Sequence, residues 1–180
     1  MKKYGAMTCA AALALAALAT SGSAQDEKSK RPSPPETASC TFSAGKIIKV
    51  DYSSPRMKGR KIFGSLVPNG LVWRAGANEA TALHTDVDLS VGGTNVPAGN
   101  YTLFAIPNSD KWTLIISKKT GEWGTEYPGE SNDLARLDMK VSALSSPMED
   151  FTIRFAQSGD TCTMHMEWEN TRASIEMKKK

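Results

Sequence analysis

Residues 101–116, YTLFAIPNSDKWTLII, decide the fold. Tyr101 to Ile106 and Trp112 to Ile116 are apolar at both parities, as strands covered on both faces are. Between them, Pro107-Asn108-Ser109-Asp110 is turn chemistry: Pro presets φ, and Asn and Asp side chains bond their own backbone. The two runs predict a hairpin.

Outward from this hairpin the apolar residues recur with period 2. Ile48, Val50 and Tyr52 alternate with Lys49 and Asp51, and Leu83, Val87, Leu89 and Val91 with His84, Asp86, Asp88 and Ser90. Leu137, Met139 and Val141 alternate with Asp138 and Lys140. Phe151, Ile153 and Phe155 alternate with Thr152 and Arg154, and Cys162, Met164, Met166 and Trp168 with Thr163, His165 and Glu167. Each run reads as a half-buried strand. Gly92-Gly93, Pro97-Ala98-Gly99-Asn100 and Gln157-Ser158-Gly159-Asp160 supply turns between them. Ile62 to Val67 reads as a short helical turn. With about nine short strands, no long amphipathic helix and no internal repeat, the expected fold is all-β: a single-domain antiparallel β-sandwich with one long irregular loop segment.

The ends set the expected compartment. Lys2 and Lys3 precede an apolar run, Ala10 to Ala19, and Gly22-Ser23-Ala24 offers a small-residue cleavage site. That is the layout of a signal peptide over 1–24, so the protein is expected to be exported, periplasmic or extracellular. Residues 25–38, charged and Pro-rich, read as a disordered leader. Residues 39–177 form the expected domain and 178–180 a basic tail. Without residues 1–24, 156 residues remain, with 20 basic side chains against 19 acidic ones. A formal charge of +1 gives no basic footprint for nucleic acid. No later stretch is apolar enough to be a transmembrane helix. Two cysteines, Cys40 and Cys162, remain, and an exported chain is expected to join them.

Residues 53–85, SSPRMKGRKIFGSLVPNGLVWRAGANEATALHT, follow no clean period yet are rich in polar side chains. Irregular polar segments on a regular scaffold are where function usually sits. Ser54 to Gly64, Leu66-Val67-Pro68 and Trp73 to Thr81 resemble the signature of domain-of-unknown-function family 2911. Val96 to Phe104, Ile106-Pro107 and Trp112 continue the resemblance, which covers roughly Ser39 to Met177. It implies an exported, β-rich bacterial protein with no assigned activity. The chain carries Asn69 and Ala75 where the family usually has Tyr and Thr.

The candidate ligand-binding residues are Trp73, Arg74, Asn78, Glu79 and Thr81, with Arg56 and Arg60. Trp73 offers a flat apolar face, Arg74 a five-donor fork, Asn78 a mixed amide and Glu79 an acceptor. Such a set can hold a sugar or a carboxylate by stacking and bidentate bonds. The same residues can instead clamp the loop, with Arg74 on Glu79. Arg56, Lys58, Arg60 and Lys61 read as an anion site or as a solvated loop. Trp123 and Tyr127, in the loop from Gly121 to Asn132, read as a stacking platform or as lids. His84 and His165 have no metal-site spacing, and no nucleotide or nucleophile motif occurs, so no metal, cofactor or catalytic set is expected. The functional expectation is a binding module for a polar or anionic ligand, a glycan or envelope component. Its alternatives are a metal-free hydrolase or lyase using Glu79 as acid/base, and a structural subunit.

Overall fold

The computed structural model describes residues 27–123 and 126–180. The expected signal peptide lies outside these residues. The described chain is all-β, with strands β1 (Pro35–Thr41), β2 (Ile47–Ser53), β3 (Thr81–Thr85), β4 (Leu89–Val91) and β5 (Thr94–Val96). They are followed by β6 (Gly99–Ile106), β7 (Lys111–Ser117), β8 (Asp133–Ser158) and β9 (Thr161–Lys179). All nine belong to one antiparallel open sheet in the order β1-β2-β3-β6-β7-β8-β9-β4-β5. The expected hairpin is β6–β7, paired from Thr102↔Ser117 to Ile106↔Thr113. Both parities are buried there: Leu103 and Ala105 face the core, and Thr102 and Phe104 are covered on the other side.

One sheet makes two layers because its longest strands bend. The β8–β9 register shifts between Ala143 and Met148 and again before Thr152. Ser145-Ser146-Pro147 lies in that gap, where Pro147 has no N–H to give the ladder. Such irregularities bend the strand that carries them. The sheet then meets itself: Phe151 donates to the Pro55 carbonyl at 2.9 Å and Met57 to that of Glu149 at 2.8 Å. Cys40 and Cys162 join β1 to β9 as a disulfide with Cα atoms 6.3 Å apart. Ile48, Val50, Leu83, Leu103, Leu114, Met139, Phe151, Met164 and Trp168 fill one core between the layers. Each large apolar side chain buried there contributes about 1.5–3 kcal/mol.

Four expectations are corrected. Residues expected as leader already carry structure: 27–29 form a helical turn, and β1 begins at Pro35. A proline at the start of an edge strand costs no ladder bond, so Pro35 did not mark a boundary. The alternating run from Leu83 to Val91 is two strands. Asp86 leaves the ladder to accept from the Ile47 N–H at 2.9 Å, and β4 goes on to pair with β9. Alternation reports which face is buried, not which strand is the neighbour. Lys178 and Lys179 of the expected tail extend β9 and pair with Ser90 and Leu89. Residues 62–67 form turns rather than a helix, with the Val67 N–H donating to the Ile62 carbonyl at 3.0 Å. Among the described residues no helix is long and apolar enough to cross a membrane.

Candidate functional site

The irregular segment runs along the open end of β3. Trp73 and Ala105 exchange both backbone hydrogen bonds at 2.8 Å, extending the ladder on β6 past Thr81↔Leu103. Residues paired in this way share a face, so Trp73 turns inward with Ala105. Its ring packs 5.0 Å from Phe151 and stacks 6.1 Å from Trp168, and its Nε1 donates to the Gly76 carbonyl at 3.1 Å. Most of the Trp73 ring is thus taken up by the core. Thr81 is buried, and its hydroxyl donates to the Ala75 carbonyl at 2.7 Å.

The other candidates part company. Arg56 pairs with Asp150 at 2.8 Å and donates to Ser54, while Arg60 donates to the Met57 and Arg56 carbonyls at 2.9 and 2.6 Å. Arg60 folds back onto its own loop, while Arg56 ties that loop to β8. Arg74 does not meet Glu79; it has no hydrogen bond or ion pair from its side chain among the described residues, and its Nε is buried. Glu79 is held instead from the segment before β1, by Arg31 at 3.0 Å and Lys28 at 3.2 Å. Asn78, in the left-handed region at φ 55°, donates to the Ser33 carbonyl at 3.0 Å. Glu79 and Asn78 are thus tied to the segment before β1, and Arg74 takes no part in that tie. Burial pushes the Glu79 carboxyl up, but its backbone N–H bond and those from Arg31 and Lys28 outweigh this and hold it below the usual range. A general acid needs the reverse, a raised pKa and a free oxygen.

The principal cavity, about 650 Å³, lies on the outer face of β2, β3 and β6. Register builds it row by row. Lys49, His84 and Asn100 stand side by side in one row, and Asp51, Ala82 and Thr102 in the next. Ala80 and Ala82, with single methyl groups, leave the floor low. Residues 120–123 form a wall fixed by two bonds: Ala80 N–H donates to the Glu122 carbonyl at 3.1 Å, and the Thr102 hydroxyl to Glu122 Oε2 at 2.9 Å. Glu122 is only 9% exposed and its Oε1 is buried with no partner. Trp123, beside it, is 57% exposed.

Charge in this trough is mostly cancelled. Lys49 pairs with Asp51 at 2.7 Å, and Glu79 is neutralised by Arg31 and Lys28. His84 places its ring nitrogens 2.8 Å from Asn100 Oδ1 and 3.0 Å from Asp86 Oδ1. Those two acceptors, Asn100 first, raise its pKa above the usual value. His165 lies on β9, with three strands between it and the strand of His84 in the sheet order.

Sequence reading flagged Trp123 and Glu79 but missed Lys49, Asp51, Ala82, Asn100, Thr102 and Glu122 as a set. Lys49 and Asp51 were legible as outward-facing; their meeting with Asn100 and Thr102 depends on register, which alternation does not encode. The aromatic pair of the 121–132 loop splits. Tyr127 is a lid, its ring 5.3 Å from Phe104 and its hydroxyl donating to Asp133 at 2.6 Å, while Trp123 stays exposed.

These features define an all-β protein with one folded nine-stranded sheet and a polar trough on its outer face. A family model, Protein of unknown function (DUF2911), matches residues 33–177, and the chain belongs to that family. No curated protein and no solved structure matches it.

Proposed function

We propose that the protein is an exported binding module whose trough on β2, β3 and β6 takes a neutral, polyhydroxylated ligand such as a short glycan. The carrying observation is Trp123, a large aromatic ring left 57% exposed on the wall of a 650 Å³ depression. An exposed aromatic ring beside polar groups offers the C–H face of a sugar a stacking surface. Around it, the amide of Asn100 and the Lys49–Asp51 pair, both on the outer face, can exchange hydrogen bonds with hydroxyl groups. The cations around the trough are already paired with its own carboxylates, Lys49 with Asp51 and both Arg31 and Lys28 with Glu79, which disfavours a polyanion and narrows the ligand from polar or anionic to polar. A disulfide between Cys40 and Cys162 supports an oxidising compartment.

Calorimetric titration with a panel of neutral oligosaccharides, and with uronate and sulfated counterparts, tests this. At least one neutral member is expected to bind, and Trp123→Ala to weaken it about tenfold, the equivalent of 1.4 kcal/mol. The melting temperature should stay unchanged, because Trp123 is outside the core. Preference for the sulfated panel, no neutral binder at all, or undiminished binding by Trp123→Ala would each overturn the reading.

A further inference from the structure

A second cavity, independent of the trough, opens beside Arg74. It measures about 140 Å³ and is lined by Leu66, Val67, Pro68, Leu71, Val72, Phe104 and part of Trp73 as well as Arg74. Of the four large hydrophobic side chains exposed among the described residues, three sit on its rim: Leu66 at 45%, Leu71 at 60% and Val72 at 36%. Isolated exposed apolar residues need no explanation, but three around one cavity form a patch, and patches mark binding surfaces. The only charged group lining it is the Arg74 guanidinium. Alternation about Trp73↔Ala105 turns Arg74 outward, beside Phe104 on the outer face.

Arg74 is the anomaly. A half-buried guanidinium with five donors ordinarily meets a carboxylate or several carbonyls. Here Nε is buried without a partner, and the side chain has neither ion pair nor hydrogen bond among the described residues. Arg56, Arg60 and Arg136, by contrast, are all bonded. Desolvating a cation without pairing it is unfavourable, and a planar fork matches a carboxylate in bidentate geometry. The surrounding walls are wholly aliphatic or aromatic. Their volume corresponds to roughly four or five waters, room for an aliphatic group of about four or five carbons.

We infer that this cavity binds a carboxylate carried on a short branched aliphatic group, with Arg74 taking the carboxylate and Leu66, Leu71 and Val72 covering the hydrocarbon. The same chemistry occurs in a free branched-chain acid and at the C-terminus of a peptide ending in Leu, Ile or Val. The tryptophan-walled trough plays no part in it.

The test is titration of the purified protein with 4-methylpentanoate, followed by ligand-observed NMR, against 4-methylpentanamide as the uncharged control. A ligand this small should bind with Kd around the millimolar range. The amide, and the acid with Arg74→Gln, are expected to bind at least about tenfold more weakly, the loss typical of a charge-assisted hydrogen bond. Leu71→Asp should weaken the acid similarly, and because Leu71 is exposed this variant keeps the test open if Arg74→Gln folds poorly. N-acetyl-leucine, measured alongside, separates the sources: tighter binding than the free acid assigns the cavity to a peptide C-terminus, weaker binding to a free acid. No binding by either carboxylate, equal binding of the amide, or undiminished binding by both variants would overturn the inference.

Discussion

Arg31 donates through Nη1 to both carboxylate oxygens of Glu79, 48 residues away, at 3.0 and 3.1 Å. The same guanidinium lies 5.9 Å from the centre of the Trp123 ring, and Lys28 adds a second cation to Glu79 at 3.2 Å. Trp123 and Glu79 are also joined by a backbone bridge. The segment before β1 thus ties the irregular segment to the wall of the trough, and Asn78 on the Ser33 carbonyl completes the tie. A stretch that is charged and Pro-rich in sequence becomes a strap across one side of the candidate site.

Arg31→Ala should loosen that strap more than it destabilises the fold. Its ion pair with Glu79 is partly exposed, and such pairs are worth about 0.2–1 kcal/mol. Hydrogen exchange at residues 27–34 is expected to accelerate, with the melting temperature nearly unchanged. Unaltered exchange in this segment would show that the ion pair does not hold it.

Gly76→Ala should be costly although Gly76 needs no unusual φ. A Cβ built there would stand 2.9 Å from the Ser53 carbonyl oxygen and 3.2 Å from Thr81 Oγ1, and the nearer of these is backbone. Overpacking of this kind costs about 1–3 kcal/mol. Urea denaturation should show a lowered midpoint at constant slope, with the unsubstituted protein as the control. A midpoint for Gly76→Ala no lower than that of the control would contradict the close approach.

Reduction of Cys40–Cys162 should be felt globally, because the bridge spans 122 residues. The chain-entropy account gives about 4–5 kcal/mol for closing a loop of this size. For a domain of this length that corresponds to roughly 10 °C in melting temperature. Thermal unfolding with and without reductant measures it, and intact mass should differ by the two hydrogens of the opened bridge. Identical masses would mean that the bridge is absent.

The two histidines should titrate in opposite directions from 6.5. His84 is raised by its bonds to Asn100 and then Asp86, whereas His165 is lowered, first by burial and then by the charge of Arg172. His84 holds its proton more tightly when folded, so its contribution is complete below the unfolded pKa and is lost as pH rises through the folded one. His165 gives up its proton more readily when folded, so stability falls as pH drops below its unfolded pKa. The effects oppose one another in global stability, which makes residue-resolved NMR titration the right measurement. A His165 midpoint above that of His84 would contradict the structure.

What was legible in the sequence follows from what periodicity encodes. The both-parity runs of β6 and β7 announced strands covered on two sides, and the alternation of β2, β8 and β9 gave their buried faces. Strand neighbours were not legible. Nothing in Leu83 to Val91 says that Leu83 faces Val50 and Tyr101 while Leu89 faces Lys179. The trough suffered most from this, since Lys49, His84 and Asn100 become one row only through register. Arg74 and Glu79, five residues apart and of opposite charge, invited a pairing that the backbone prevents.

Trp73 and Arg74 condense that point into a measurable pair. Both were candidate ligand contacts, yet the two-way bond of Trp73 with Ala105 fixes one inward and the other outward. Trp73 joins Phe63, Trp112, Phe151 and Trp168 in a single aromatic cluster with ring centres 5.0 to 6.3 Å from its own. Truncation to alanine removes these edge and stacking contacts and leaves a cavity, at a cost of about 3–5 kcal/mol for a large aromatic residue. Trp73→Ala should therefore lower the melting temperature by roughly 10 °C, given 2–4 °C per kcal/mol at this chain length. Arg74→Gln should leave it within a few degrees, because no hydrogen bond or ion pair is lost. A large drop for Arg74→Gln together with a small one for Trp73→Ala would reverse the assignment of faces, and with it the register of residues 73–74 on β6.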